Sequence, residues 1–143
     1  MRKRITAILL AGFCLSATAC SSPSIAALEA DQKAQDELPQ SLSAEALGVD
    51  PDSVRFAASE EGIDFYLARQ DTPDGGVCVV INVVDEPERA MSACGGTEPS
   101  VQPLTAELLG YAKAHVVTDD FQASDLVDEG LEQIHPNIWA KVL

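Results

Sequence analysis

Apolar and polar positions divide this chain into three stretches. The first holds one unbroken apolar run, from Ile5 to about Leu15. Residues 21–52 are rich in Ser, Ala, Gln and acidic side chains and nearly lack aromatic and β-branched ones. From Ser53 onward, short apolar runs alternate with polar residues, the period of half-buried strands. Val54–Ala57 is the first run and ends at Glu60-Glu61-Gly62. Ile63–Arg69 is the second and puts Ile63, Phe65 and Leu67 on one face. Asp71-Thr72-Pro73-Asp74-Gly75-Gly76 is a turn signal. Val77–Val84 is apolar on both faces, which predicts a central strand. Asp85-Glu86-Pro87 turns the chain, and Arg89–Cys94 runs back. The pattern predicts a meander of about four strands.

Beyond Gly95-Gly96 the signal is weaker. Thr105–Leu109 reads as one helical turn and Tyr111–Val117 as a strand. Ser124–Glu129 reads as a short helix stopped by Gly130. Leu131–Ile134 and Ile138–Val142 flank a His135-Pro136-Asn137 turn, and Trp139, the only tryptophan, is expected in the core. In residues 21–52, helical turns are expected at about Ile25–Glu37, with Glu29 and Lys33 at i,i+4. Another is expected at Ser43–Leu47, with Ser43 as N-cap and Gly48 past the end. Asp50-Pro51-Asp52-Ser53 is a turn cluster. The expectation is an α+β fold, mainly an antiparallel sheet with short helices. It divides the chain into 1–19, a flexible tether at 20–52 and a domain at 53–143.

The meander makes a specific statement about two cysteines. A three-residue loop at Asp85-Glu86-Pro87 pairs Val84 with Glu88 and puts Cys78 directly opposite Cys94. Facing residues about 4.5–5.5 Å apart suit a disulfide. A redox-active pair is not expected, since there is no C-x-x-C spacing and no Lys or His beside either thiol.

Met1-Arg2-Lys3-Arg4, the apolar run and the small residues after it have the layout of a secretory signal peptide. The run is shorter than the roughly 20 residues that span a bilayer. Ala17-Thr18-Ala19-Cys20 looks like a bacterial lipobox, although Ala17 stands where a large aliphatic is usual. The likeness implies that residues 1–19 are removed and that the Cys20 thiol carries a diacylglyceryl group. Acyl chains such as palmitate on the new N-terminus then give a two-chain anchor. Ordinary cleavage after Ala19, or near Ser24-Ile25-Ala26, is the alternative and gives a soluble secreted protein.

Charge narrows the partners. The chain has 23 acidic and nine basic side chains, a net charge of -14. Loss of Arg2, Lys3 and Arg4 leaves six basic against 23 acidic, about -17. That balance excludes phosphate-backbone binding, so no nucleic-acid partner is expected. The residues also carry no nucleotide-binding or hydrolase motif. His115 and His135 read as structural or solvated. Asp119, Asp120, Asp125, Asp128 and Glu129 read as a solvated acidic face, with weak divalent-cation binding as the sharper alternative. No catalytic residue, metal site or cofactor is nominated.

Taken together, Cys20, Asp52–Phe56, Gly62–Arg69, Val77–Ile81, Ala93-Cys94-Gly95 and Gly130…Pro136-Asn137-Ile138-Trp139 resemble small extracytoplasmic lipoproteins of actinobacteria. The resemblance implies a disulfide-closed domain on the outer face of the cytoplasmic membrane, and brings no activity with it. The expected role is a non-catalytic surface module for a protein, cell-wall or small-ligand partner. A small cell-wall-acting enzyme and a signalling or inhibitory partner of a membrane protein are the alternatives.

Overall fold

A computed structural model describes residues 24–95, 104–122 and 124–143. Residues 1–19, expected to be a signal peptide, and Cys20 lie outside them. The described residues form two antiparallel sheets of four strands. The first contains β1 (Arg55–Glu60), β2 (Ile63–Arg69), β3 (Val77–Val83) and β4 (Met91–Gly95), in sequence order. The second contains β5 (Leu104–Leu108), β6 (Ala112–Val116), β7 (Glu132–His135) and β8 (Ile138–Val142), ordered β5-β6-β8-β7. Short helices α1 (Ala26–Glu29), α2 (Ala44–Leu47) and α3 (Ser124–Asp128) complete a small α+β fold.

The sheets share one core. Ile63, Phe65 and Leu67 of β2 and Val79 and Ile81 of β3 face inward, as the alternation predicts. Against them the second sheet sets Ala106, Ala112, Ala114, Val116, Ile138 and Ala140. Bulky side chains on one sheet meet small ones on the other, the complementarity that sheet-on-sheet packing needs. The opposite face of β3 is also buried. Cys78 and Val80, with Tyr66 and Ala68, lie under Leu38, Ala44, Leu47, Val49 and Val54. A strand covered on both sides needs apolar residues at successive positions, which is the Val77–Val83 pattern.

That covering layer corrects the expected tether. Residues 24–52 are packed, not free: Ile25 and Leu28 belong to the shared core, and Val49 is 1% exposed. The folded part therefore starts by Ser24 instead of Ser53. Polar side chains hold the layer down. Asp36 is buried, and its two oxygens accept from the Lys33 amide at 2.8 Å and from the Phe56 amide at 3.1 Å. The first of these bonds competes with helix formation. The expected helix at Ile25–Glu37 accordingly shrinks to α1 and a 3₁₀ turn at Ala34–Asp36, and Glu29 pairs with Arg69 instead of Lys33. The helix α2 forms as expected. Ser43 Oγ accepts from the Ala46 amide at 3.2 Å, and Gly48 ends it at φ 68°.

Two further expectations change. Thr105–Leu109 is not a helical turn but the larger part of β5. Ala106 is buried with Leu104 and Leu108 packed at the core, while Thr105 and Glu107 face out, and pairing with β6 outweighs the weak local signal. The β3–β4 connection is not a three-residue hairpin. Pairing stops at Ile81↔Met91, and Pro87–Arg89 forms a 3₁₀ turn. The register is nevertheless the expected one, with Cys78 opposite Cys94.

Candidate functional site

The antiparallel registers give the molecule two distinct ends. Arg69, Val77, Gly95, Leu104, Val116 and Ile138 terminate their strands at one end. The Glu61-Gly62 turn, Gly110 and the Val83–Pro87 connection lie at the other. Ser24 enters at the first end. Its carbonyl accepts from the Asp119 amide at 3.0 Å. Asp119 answers with Oδ2, which accepts from the Ala26 amide at 2.9 Å, so it caps the start of α1. Its Oδ1 accepts from Asn137 Nδ2 at 2.7 Å, and the same buried amide also donates to the Val117 carbonyl at 3.1 Å. Asp119 is exposed, as a member of a solvated face would be, and at the same time clamps the chain's entry.

The rest of the expected acidic group is dispersed. Asp120 accepts from Thr118 and Asp125 from Ser124, while Glu129 takes the Lys113 ammonium at 2.8 Å. Among the described residues, no three potential ligands converge on a metal position. The Cys78–Cys94 disulfide closes at the Ser24 end, one residue pair from the ends of β3 and β4, with its Cα atoms 4.0 Å apart. That spacing is below the range expected from the sequence. Nearby, a Cβ on Gly76 would overlap the Gly95 carbonyl, so the turn before β3 needs glycine there.

The far end holds a cleft of about 230 Å³. It lies where the β1–β2 turn meets the β7–β8 edge. Glu60, Glu61 and Glu132 supply carboxylates, Lys141 an ammonium, and Ile134 and Val142 an apolar floor. Glu61 sits at φ 49° and Gly62 at φ 82°, so both central residues of this two-residue turn are left-handed. Such turns match strand twist, and glutamate is an unusual choice for one. The volume suits a side chain or a small cationic group more than a drug-sized ligand. Sequence reading missed this cleft because its two walls are far apart in the chain.

The histidines have structural surroundings. His115 is 6% exposed, and its Nδ1 lies 3.2 Å from Thr105 Oγ1. Its Nε2 has no partner and sits 4.0 Å from Glu129 Oε2, beyond hydrogen-bond reach. Burial pushes the His115 pKa down, and Lys113 adds to the shift. The Lys113 ammonium in turn holds the Glu129 carboxyl below its ordinary value. Thr105, His115 and Glu129 therefore line up as hydroxyl, neutral imidazole and carboxylate, but the carboxylate is engaged by Lys113 and does not orient the ring. His135 Nδ1 accepts from the Asn137 amide at 3.1 Å, and burial lowers its pKa. Trp139 is half-buried and packs against a small separate cluster of Val117, Leu126 and Leu131, not in the shared core expected for it.

Comparison with known proteins shows no family model, no curated protein and no solved structure that matches this chain.

Proposed function

We propose that the mature protein is an extracytoplasmic lipoprotein held on the outer face of the cytoplasmic membrane through acylated Cys20. On this reading the domain is a non-catalytic binding or accessory module for a protein, cell-wall or small-ligand partner. The observation that carries the reading is the Cys78–Cys94 disulfide across β3 and β4, with Cys78 buried and Cys94 half-buried. Disulfides persist in oxidising compartments, so the bond agrees with export by the N-terminal segment. The edge cleft supports a partner that offers a small cationic group. Fractionation of expressing cells tests the anchor. The natural chain should stay with membranes through high-salt washing, while Cys20→Ala should appear in the soluble exported fraction. A Cys20→Ala protein that remains membrane-bound would refute the anchor.

A further inference from the structure

We infer that one end of the domain docks on the lipid surface and the other is held away from it. The inference rests on the proposed anchor at Cys20. The second observation is where the packed chain begins. Ile25 is a core residue, and Ser24 is pinned by the Asp119 amide and side chain. Only four peptide steps join Cys20 to Ser24. At about 3.3–3.6 Å per residue, they reach no further than about 14 Å. Strand β2 alone, seven residues long, spans about 23 Å at its usual rise. The leash is therefore shorter than the domain it holds, and the Ser24 end must stay beside the headgroups.

The surface at that end is built from the 117–122 turn, the His135-Pro136-Asn137 hairpin and the Arg69–Gly76 connection. Charge decides how the rest of the domain sits. A chain of about -17 is repelled by an anionic leaflet over a distance set by the Debye length, about 10 Å at 0.1 M salt. The Ser24 end carries the exposed Asp71, Asp74, Asp119 and Asp120, so the leash and not charge keeps it at the headgroups, while repulsion pushes the remaining carboxylates away. The domain consequently stands up, and the Glu60-Glu61-Glu132 cleft opens away from the membrane, towards whatever lies beyond it. The edge cleft and the anchor then occupy opposite ends of the protein, as a module that presents a ligand site to the extracytoplasmic space requires.

The test couples the chain beginning at Cys20 to a maleimide lipid through that thiol, with Cys78 and Cys94 oxidised. The coupled protein is placed in nanodiscs of phosphatidylglycerol and phosphatidylcholine that contain gadolinium-chelate lipid. Amide signals of Asp119, Phe121 and Asn137 should lose most of their intensity, while those of Glu61, Gly62 and Gly110 should keep theirs. A second variant carries about 20 Gly/Ser residues between Pro23 and Ser24, a coil with an end-to-end distance near 25 Å. It should restore the lost signals. Equal loss at both ends, greater loss at the Glu61 end, or losses that the longer leash leaves unchanged would overturn the proposal. The coupling is chemical, so this outcome is independent of whether cells acylate Cys20, which the fractionation of Cys20→Ala tests separately.

Discussion

Reduction of the Cys78–Cys94 bond should cost the domain a large fraction of its stability. The bond joins residues 16 apart in sequence, and closing a loop of that size restricts the unfolded chain by about 3 kcal/mol in the chain-entropy model. A domain of this size shifts its melting temperature by roughly 4 °C per kcal/mol, so the reduced protein should melt about 12 °C lower. Reduction leaves the sulfur atoms in place, and so isolates the cross-link. The double substitution Cys78→Ala/Cys94→Ala should fall further. Cys78 is fully buried, and removing its sulfur adds a packing loss of about 1 kcal/mol. Thermal unfolding followed by circular dichroism, with and without a reductant, reads both values. Oxidised and reduced forms that melt together would show either that the bond is absent or that the unfolded chain is already confined.

Other perturbations probe the packed N-terminal layer and the buried histidines. Deletion of residues 24–37 removes Ile25, Leu28 and Asp36, and should cost at least about 4 kcal/mol from two buried aliphatic side chains and a buried cap. Urea unfolding checks it, and an unchanged midpoint would restore the tether. Asp36→Ala leaves the Lys33 and Phe56 amides without their acceptor and should cost about 2–3 kcal/mol in the same assay, whereas a loss below about 0.5 kcal/mol would contradict the cap. His115 and His135 both have folded-state pKa values below the ordinary 6.5, so the unfolded chain binds protons first as the solution is acidified. Their contribution is complete above about pH 6.5 and is lost as pH falls through the folded values. Urea midpoints should therefore drop between about pH 7.5 and 5.5, above the range where Glu129 titrates, and a flat or rising profile would contradict neutral burial of the rings.

The elements that were legible in the sequence are those whose partners lie close along the chain. β2 and β3 alternate or bury on both faces over seven residues, and a local turn links them, so the pattern carries both their existence and their register. The opposition of Cys78 and Cys94 followed from that register even though the loop between β3 and β4 has a different conformation. The register survives because Pro87–Arg89 takes up the extra residues in a compact 3₁₀ turn. β5 was not legible, because five residues with one buried alanine carry little periodicity, and its strand state comes from pairing with β6.

The covering layer was missed for a different reason. It docks through apolar residues at irregular spacing, Ile25, Leu28, Leu38, Leu47 and Val49, with no helical or strand period to reveal them. The buried carboxylate of Asp36 completes its attachment, and in sequence it looks like an ordinary surface charge. Asp119 is exposed, as its acidic run suggests, but its bonds to the α1 amide and the Asn137 side chain had no signal in the sequence. The cleft was not legible because Glu60 and Glu132 approach only when the edges of the two sheets come together.

The account depends most on the state of the mature N-terminus. Intact-mass measurement of the protein extracted from membranes reads that state directly. The expected mass is that of residues 20–143 with a diacylglyceryl group in place of the Cys20 thiol hydrogen, less two hydrogens for the Cys78–Cys94 bond, and the added mass should map to the peptide that begins at Cys20. A mature chain that begins elsewhere, or one that begins at an unmodified Cys20, would contradict the account.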